Sequence, residues 1–395
     1  MTPTDTIATP RHPISALLRS ARFPAILLLL AAAAGLVLAN TPAAGAAFAV
    51  QHFTLGVPGT PFELDVGEWI ADGLLAVFFF TVAVELQYEL TTGELRTARR
   101  AVLPAIAAAG GVALPIVIYL VIAAPAGVAV GWPVPTATDI AFALGVLAVF
   151  GRGLPAALRV FLLALAILDD IIGIVFIAVL FATDVDVWML LTALVLTVAI
   201  GILSRQLGGR GSRAIAVVIV VLGVATWAAM LASGVHATIA GVLVGLAVAQ
   251  YPGMRARHVL EPWVNGLVLP LFALSAALVT IPVVGSGGLS PAFWGILVAL
   301  PVGKLVGIGG TGWIAQRALR VPAAARLALA DLVAAGALGG IGFTVSLLLA
   351  NLAFAAAPEL RDEAVLGVLA GSMISLVLSA IVVSWRARVH RKRAA

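Results

Sequence analysis

Apolar residues fill this chain in runs too long for strands and too evenly apolar for the one-sided stripe of a surface helix. Twelve such runs stand near 23–40, 68–90, 102–123, 134–150, 156–182, 187–205, 213–231, 234–250, 262–284, 291–316, 327–355 and 364–386. About 20 apolar residues cross a bilayer as a helix. The pattern therefore predicts an all-α polytopic membrane protein with about twelve transmembrane helices. One stretch has another period. His52 to Val66 alternates apolar and polar residues on both sides of Pro58-Gly59-Thr60-Pro61, which predicts a small β-hairpin over 52–66. A lone hairpin is marginal in water. It is expected to pair with a copy from a second subunit through its edge, or else to lie on its own protein.

The polar residues between runs test the count. If connections are numbered from the N-terminus, 21 of the 23 Lys and Arg fall on one side. They are Arg11, Arg19 and Arg22; Arg96, Arg99 and Arg100; Arg152 and Arg159; Arg205, Arg210 and Arg213; Arg255 and Arg257; Arg317, Arg320 and Arg326; and the tail from Arg386 to Arg393. The other side holds only Arg361, among Glu63, Asp65, Glu68, Asp184, Asp186, Glu359, Asp362 and Glu363. Basic residues stay cytoplasmic, so both termini are expected there. The first run, with Arg19 and Arg22 before it and small residues after it, also has the look of a cleaved signal peptide; an uncleaved span fits the helix count.

Composition narrows the class further. The chain is 62% hydrophobic and 10% charged, against about 25% charged residues in a soluble domain. Cysteine is absent, which excludes disulfides and thiolate metal sites. A net charge of +5 raises nucleic acid as a partner. The confinement of the basic residues to short clusters between apolar runs argues for topology instead and for no nucleic acid.

The chemistry stands where charge interrupts the apolar runs. Asp169 and Asp170 are adjacent in the fifth, where each ionised carboxylate costs about 2.5–3.5 kcal/mol to insert. Two in succession point to holding a small cation, a proton, or each in turn. Lys304 lies well inside the tenth run; snorkelling to an interface is disfavoured by its distance from both ends. The fourth run carries Pro133, Pro135, Thr136, Thr138 and Asp139, and the eleventh has four glycines between Gly336 and Gly342. Interruptions at the middle of two inverted triplets, spans 3–4–5 and 10–11–12, predict discontinuous helices around a binding site. Half-helix ends carry roughly half a unit of charge. Asp139 and Lys304 are candidates to balance opposed N-termini and opposed C-termini.

These segments together resemble the bacterial sodium/proton antiporters of the NhaA type. The resemblance rests on Ala137-Thr-Asp-Ile-Ala-Phe-Ala-Leu-Gly-Val-Leu147, Leu163-Ala-Leu-Ala-Ile-Leu-Asp-Asp170, Ser233-Gly-Val-His-Ala-Thr-Ile-Ala-Gly-Val242, Val302-Gly-Lys-Leu-Val-Gly-Ile308 and Gly339-Gly-Ile-Gly-Phe-Thr344, in the family's order. This family is itself an established instance of the inverted-repeat architecture. The resemblance implies crossed, interrupted fourth and eleventh helices within a single transporter unit. Its core helices would lie near 102–182 and 291–386, and its interface helices near 23–90 and 187–284. It implies a Na+ site at Asp170 with Asp169 and Thr138, charge compensation by Asp139 and Lys304, and a homodimer held partly by the hairpin. Cytoplasmic Na+ or Li+ would exchange for external H+, electrogenically, in the cell inner membrane among its lipids, for sodium and pH homeostasis. No cofactor and no enzymatic activity are implied. The regions linked to pH response correspond to Glu85, Glu89 and His258. They depart from the family's pattern, with Gln87 and Tyr88 after Glu85, and Arg257 before His258. His236 fits a packing seam at least as well as a proton relay.

Residue chemistry gives a mechanism for exchange. Neighbours on a helix point about 100° apart. Asp170 is thus expected to face a water-filled funnel and Asp169 to face Lys304 or the site's edge. Paired carboxylates titrate as a unit, so Na+ and protons compete for the same oxygens. A cation-coupled symporter of a small solute is the alternative and needs a larger polar pocket. An intramembrane aspartyl protease lacks its Gly-x-Gly-Asp motif here, and a channel lacks a charged ring or a carbonyl filter.

Overall fold

The computed structural model describes residues 23–182, 184–207, 212–281, 288–323 and 326–394. Arg11, Arg19, Arg22 and Arg210 of the charge count lie outside them, so the basic flank of the signal-peptide alternative is outside the described residues while the small residues after the first run are within them. The helices are α1 (Phe23–Ala39), α2 (Ala44–Gln51), α3 (Val66–Thr91), α4 (Ala98–Ala123), α5 (Ile140–Phe150), α6 (Ala156–Leu180), α7 (Val187–Ser204), α8 (Ser212–Ala232), α9 (Ile239–Ala247), α10 (Gln250–Ala276), α11 (Pro291–Ala318), α12 (Leu329–Gly339), α13 (Phe343–Ala353) and α14 (Pro358–Ala394). Among the described residues nine spans meet the length and apolarity needed to cross a membrane, and two more are bent pairs: α1 with α2 at 114°, and α12 with α13 at 50°. The protein is an all-α polytopic membrane protein.

Three boundaries differ from the expected spans. The eighth, expected over 234–250, is helical only in α9. A turn at Ser233–Gly234, with Gly234 at φ +77°, delays its start, and Val248 is extended at its end. This short helix lies against α3, where a Cβ at Gly241 would fall on the Ala76 carbonyl oxygen. The ninth begins earlier than expected, because the charged stretch from Gln250 to Trp263 is helical. The twelfth is longer, at 37 residues. At 1.5 Å per residue that is about 55 Å, well beyond the roughly 30 Å apolar thickness of a bilayer.

The hairpin over 52–66 forms with short strands. β1 (Thr54–Leu55) pairs antiparallel with β2 (Leu64–Asp65), Thr54 opposite Asp65 and Leu55 opposite Leu64. It leads directly into α3 through a capping box: Asp65 Oδ1 accepts from Glu68 N at 2.7 Å, and Asp65 N donates to Glu68 Oε2 at 2.8 Å. Trp69 Nε1 ties it down on Leu55 O at 3.1 Å.

Two interruptions occupy the centre. Prolines 133 and 135 have no N–H to give a helix, and only 3-10 turns precede Ala137, which is extended. In the other interruption α12 stops at Gly339 and α13 starts at Phe343. The two breaks touch. Asp139 N donates to Ile341 O at 2.6 Å, and a Cβ at Gly342 would stand 3.1 Å from Ala137 O. From Asp331 to Ala350 every residue except Val333 is buried. Irregular backbone at membrane depth is tolerated only where protein or water surrounds it, and here it is enclosed by α4, α11 and α14. α4 and α11 meet backbone to backbone: a Cβ at Gly307 would fall on the Gly110 carbonyl oxygen.

Candidate functional site

The chain breaks set the site's charges. Asp139 is the N-cap of α5, its Oδ1 accepting from Phe142 N at 3.1 Å. Its Oδ2 accepts from Thr344 N at 3.2 Å and from Thr344 Oγ1 at 2.7 Å. One carboxylate thus serves the first turns of both α5 and α13, where partial positive charge collects. The carbonyl ends face the other way. Lys304 Nζ donates to the Thr136 carbonyl oxygen and to Thr138 Oγ1 at 3.2 Å. Thr138 Oγ1 in turn donates to Gly339 O, the end of α12, at 2.7 Å.

Lys304 also meets the aspartate pair. Its Nζ lies 2.6 Å from Asp169 Oδ2, and both side chains are wholly buried. A charge at this depth persists only with a partner. The local fold brings Lys304 there: it follows the π-helical turn Ala299–Gly303, which contains Pro301. A π-turn rotates the residues after it relative to a regular helix. α12 is held close to this turn of α11, since a Cβ at Gly336 would stand 2.8 Å from Leu305 Cα. Asp169 Oδ1 is buried and accepts no hydrogen bond.

Asp170 points elsewhere, as one residue of helical rotation requires. It is half-buried and lines a cavity of about 320 Å3. Thr138, Asp139 and Thr344 line the same cavity, as do Glu85, Arg257 and Glu261 from α3 and α10. Arg257 Nη2 is 2.8 Å from Glu85 Oε2. The helical course of α10 makes that contact, with Arg257 one turn before Glu261 on the same face. Glu89 is buried near the end of α3 and His258 is exposed on α10; neither lines the cavity. His236 is likewise apart, its Nδ1 3.1 Å from Asp72 Oδ1 and 3.1 Å from Thr238 Oγ1. Among the described residues no three His, Asp or Glu side chains converge as a metal cage would require. A hard monovalent ion here would draw its oxygens from Asp170, the Thr138 hydroxyl and freed carbonyls.

Two features escaped the sequence reading. Thr344 was part of a quoted motif without a role; its signal was its position just past the glycine break, where a hydroxyl can meet a capping carboxylate. Asp331, Arg386 and His390 form a second buried charge cluster, and its signal was an acid inside the eleventh apolar run.

The chain matches the family model described as Na+/H+ antiporter 1 over residues 15–383. The Na(+)/H(+) antiporter NhaA 2 of Clavibacter michiganensis subsp. michiganensis is 54% identical to it over 389 residues, covering 97% of this chain and 94% of that protein. The Na(+)/H(+) antiporter NhaA of Tropheryma whipplei (strain Twist) is 42% identical over 372 residues, covering 92% and 94%. That of Thermobifida fusca (strain YX) is 41% identical over 413 residues, covering 99% and 98%. With its crossed breaks, its buried aspartate–lysine pair and these relatives, the chain belongs to the Na+/H+ antiporter 1 family.

Proposed function

We propose that this protein exchanges Na+ for H+ across a membrane, with Asp170 as the principal cation ligand. The transported ions are Na+ and H+, as the family implies, and Li+ is proposed as a second cargo. The observation that carries the site assignment is the position of Asp170. It shares one cavity with Thr138 and Asp139, beside a buried Asp169–Lys304 pair at the crossing of two broken spans.

Exchange then follows from competition. A cation at Asp170 displaces a proton from the same oxygens, while Asp169 and Lys304 offer a second proton carrier 2.6 Å apart. Asp139, and Lys304 while it holds its proton, keep the half-helix ends compensated. If one Na+ replaces two protons, each cycle moves one net charge, and inward proton flow gains about 2.3 kcal/mol per 100 mV. The chemistry of a symporter is unsupported: the lining is apolar apart from the residues named and Asn265, with Thr81 the one further hydroxyl. The cell inner membrane, cytoplasmic termini, a homodimer sharing the hairpin over 52–66, and a division into core helices (102–182, 291–386) and interface helices (23–90, 187–284) belong to the same proposal. Glu85, Glu89 and His258 are proposed to tune the pH response, supported by the Glu85–Arg257 pair at the cavity.

Everted vesicles carrying a ΔpH-sensitive dye test the reading. Na+ and Li+ are expected to dissipate the gradient and K+ is not. Dissipation by K+ alone, or none with any of the three ions, would refute it.

A further inference from the structure

An apolar cavity of about 160 Å3 lies between α1 and α14 and shares no lining residue with the ion site. The two helices each pack on α5 but hardly on each other, and Phe142 of α5, 1% exposed, lines the space from within. Leu29, Ala33 and Leu36 line it from α1, and Leu369, Met373 and Leu376 from α14. From Phe23 to Ala39 α1 carries no polar or charged side chain, so its middle lies at the depth of the bilayer's hydrocarbon. Beside the cavity the outer faces are apolar and exposed: Leu30 and Val37 on α1, Ile374 and Val377 on α14. Ala33 and Met373 are themselves exposed at its mouth. The mouth therefore opens on lipid and not on water.

The lining decides what fits. A buried water needs two to four polar partners. The one polar side chain here is Ser372, and its hydroxyl already accepts from Phe343 N at 3.2 Å. An ion would meet no charged group and no set of oxygens. An engineered apolar cavity of about 150 Å3 stays dry and takes benzene, so this one has room for a hydrocarbon end of about six carbons. Left empty, its walls lose the dispersion contacts that close packing supplies. The liquid hydrocarbon at the mouth can restore them.

We propose that this cavity is a binding site for the end of a phospholipid acyl chain, taken from the surrounding bilayer. The seated end rests on Phe142, Ile341 and Phe343, which form the inner wall. Phe142 and Phe343 meet edge to face, with 4.9 Å between ring centroids. The same residues supply backbone to the crossing of the two breaks. Phe142 N donates to Asp139 Oδ1, Ile341 O accepts from Asp139 N, and Phe343 precedes Thr344, whose hydroxyl donates to Asp139 Oδ2. An occupied cavity thus backs the segments that hold Asp139, on the side the protein itself leaves unpacked. The site requires only that these helices span a membrane, and it stands whether or not antiport is the activity.

The test uses purified full-length protein in liposomes doped with a phosphatidylcholine that carries a photoactivatable diazirine at the last carbon of one acyl chain. After illumination, peptide mass spectrometry locates the labelled residues. Wild type is expected to be labelled at Phe142, Ile341 or Phe343, none of them more than 3% exposed, as well as at Val377 and Ile381 on the open lipid face. Ala33→Phe and Met373→Trp add bulk at the mouth, at positions that are already exposed. Each is expected to lose most of the inner labelling while Val377 and Ile381 are labelled as in wild type; should one variant fail to fold, the other decides. A diazirine placed beside the ester instead of at the chain end should leave the inner wall of wild type largely unlabelled. Inner labelling that is absent from wild type overturns the site, and so does inner labelling that survives the bulky variants. A second copy of the chain, or its own N-terminal segment, seated over the mouth would shield the inner wall and give the first of those results.

Discussion

Replacing Lys304 with alanine removes the charge partner of Asp169, together with the hydrogen bonds of Lys304 to the Thr136 carbonyl and the Thr138 hydroxyl. The two charged atoms are 2.6 Å apart and neither residue touches solvent. At an effective dielectric of about 20, their gross attraction is about 6 kcal/mol. Much of this offsets desolvation, and removing one partner of a buried pair costs about 3–5 kcal/mol because the other charge is left alone. With about 2.1 cal/mol/K of unfolding entropy per residue, a chain of 395 residues would melt about 4–6 °C lower. The loss has a pH sign. Without Lys304, a lone ionised Asp169 is the source of the penalty, and protonating it removes that source. The deficit of Lys304→Ala should therefore be largest in alkali and shrink in acid. The double variant Asp169→Asn with Lys304→Ala should recover at least half of it, since no unpaired charge remains. Thermal melting of detergent-purified protein across pH measures all three. Equal melting of Lys304→Ala and wild type, or a double variant no more stable than Lys304→Ala, would refute the pairing argument.

The ion-ligand assignment predicts that Asp170→Asn abolishes Na+-driven proton movement in everted vesicles while the protein still accumulates and melts normally; full activity would remove Asp170 from the role. Thr344→Val takes one of the donors from the buried Asp139 carboxylate. A hydrogen bond to a charged group contributes about 1.5–3 kcal/mol, so a lowered melting point with a reduced transport rate is expected, and an unchanged melting point counts against that capping arrangement. Gly307→Val forces a side chain into the Gly110 backbone. Overpacking costs about 1–3 kcal/mol, occasionally more, read as lost yield in size-exclusion chromatography.

Much of the site was legible because membrane depth makes polar residues conspicuous. Asp139, Asp169, Asp170 and Lys304 interrupt apolar runs, and the prolines and glycines beside them mark where backbone leaves the helix. Their mutual geometry was only partly legible. Helical rotation separates Asp169 from Asp170, but the π-turn that aims Lys304 follows from packing as much as from Pro301. The span boundaries at α9 and α10 misled for a physical reason. Hydropathy reports where apolar residues end, whereas the helix of α10 continues through charged residues whose side chains reach water or each other. Asp331 was hidden by its partners. Arg386 reads as one more cytoplasmic basic residue, and only the fold shows that the tail of α14 turns it inward.

The meeting of Gly110 and Gly307 limits how this machine can work. Where main chain rests on main chain there are no side chains to act as bearings, so α4 and α11 cannot slide past each other without tearing that seam. They form a single strut within the bundle. In the exchange proposed above, access to Asp170 changes by other helices moving against that strut, while the breaks in the fourth and eleventh spans, packed on α4 and α11, stay with it.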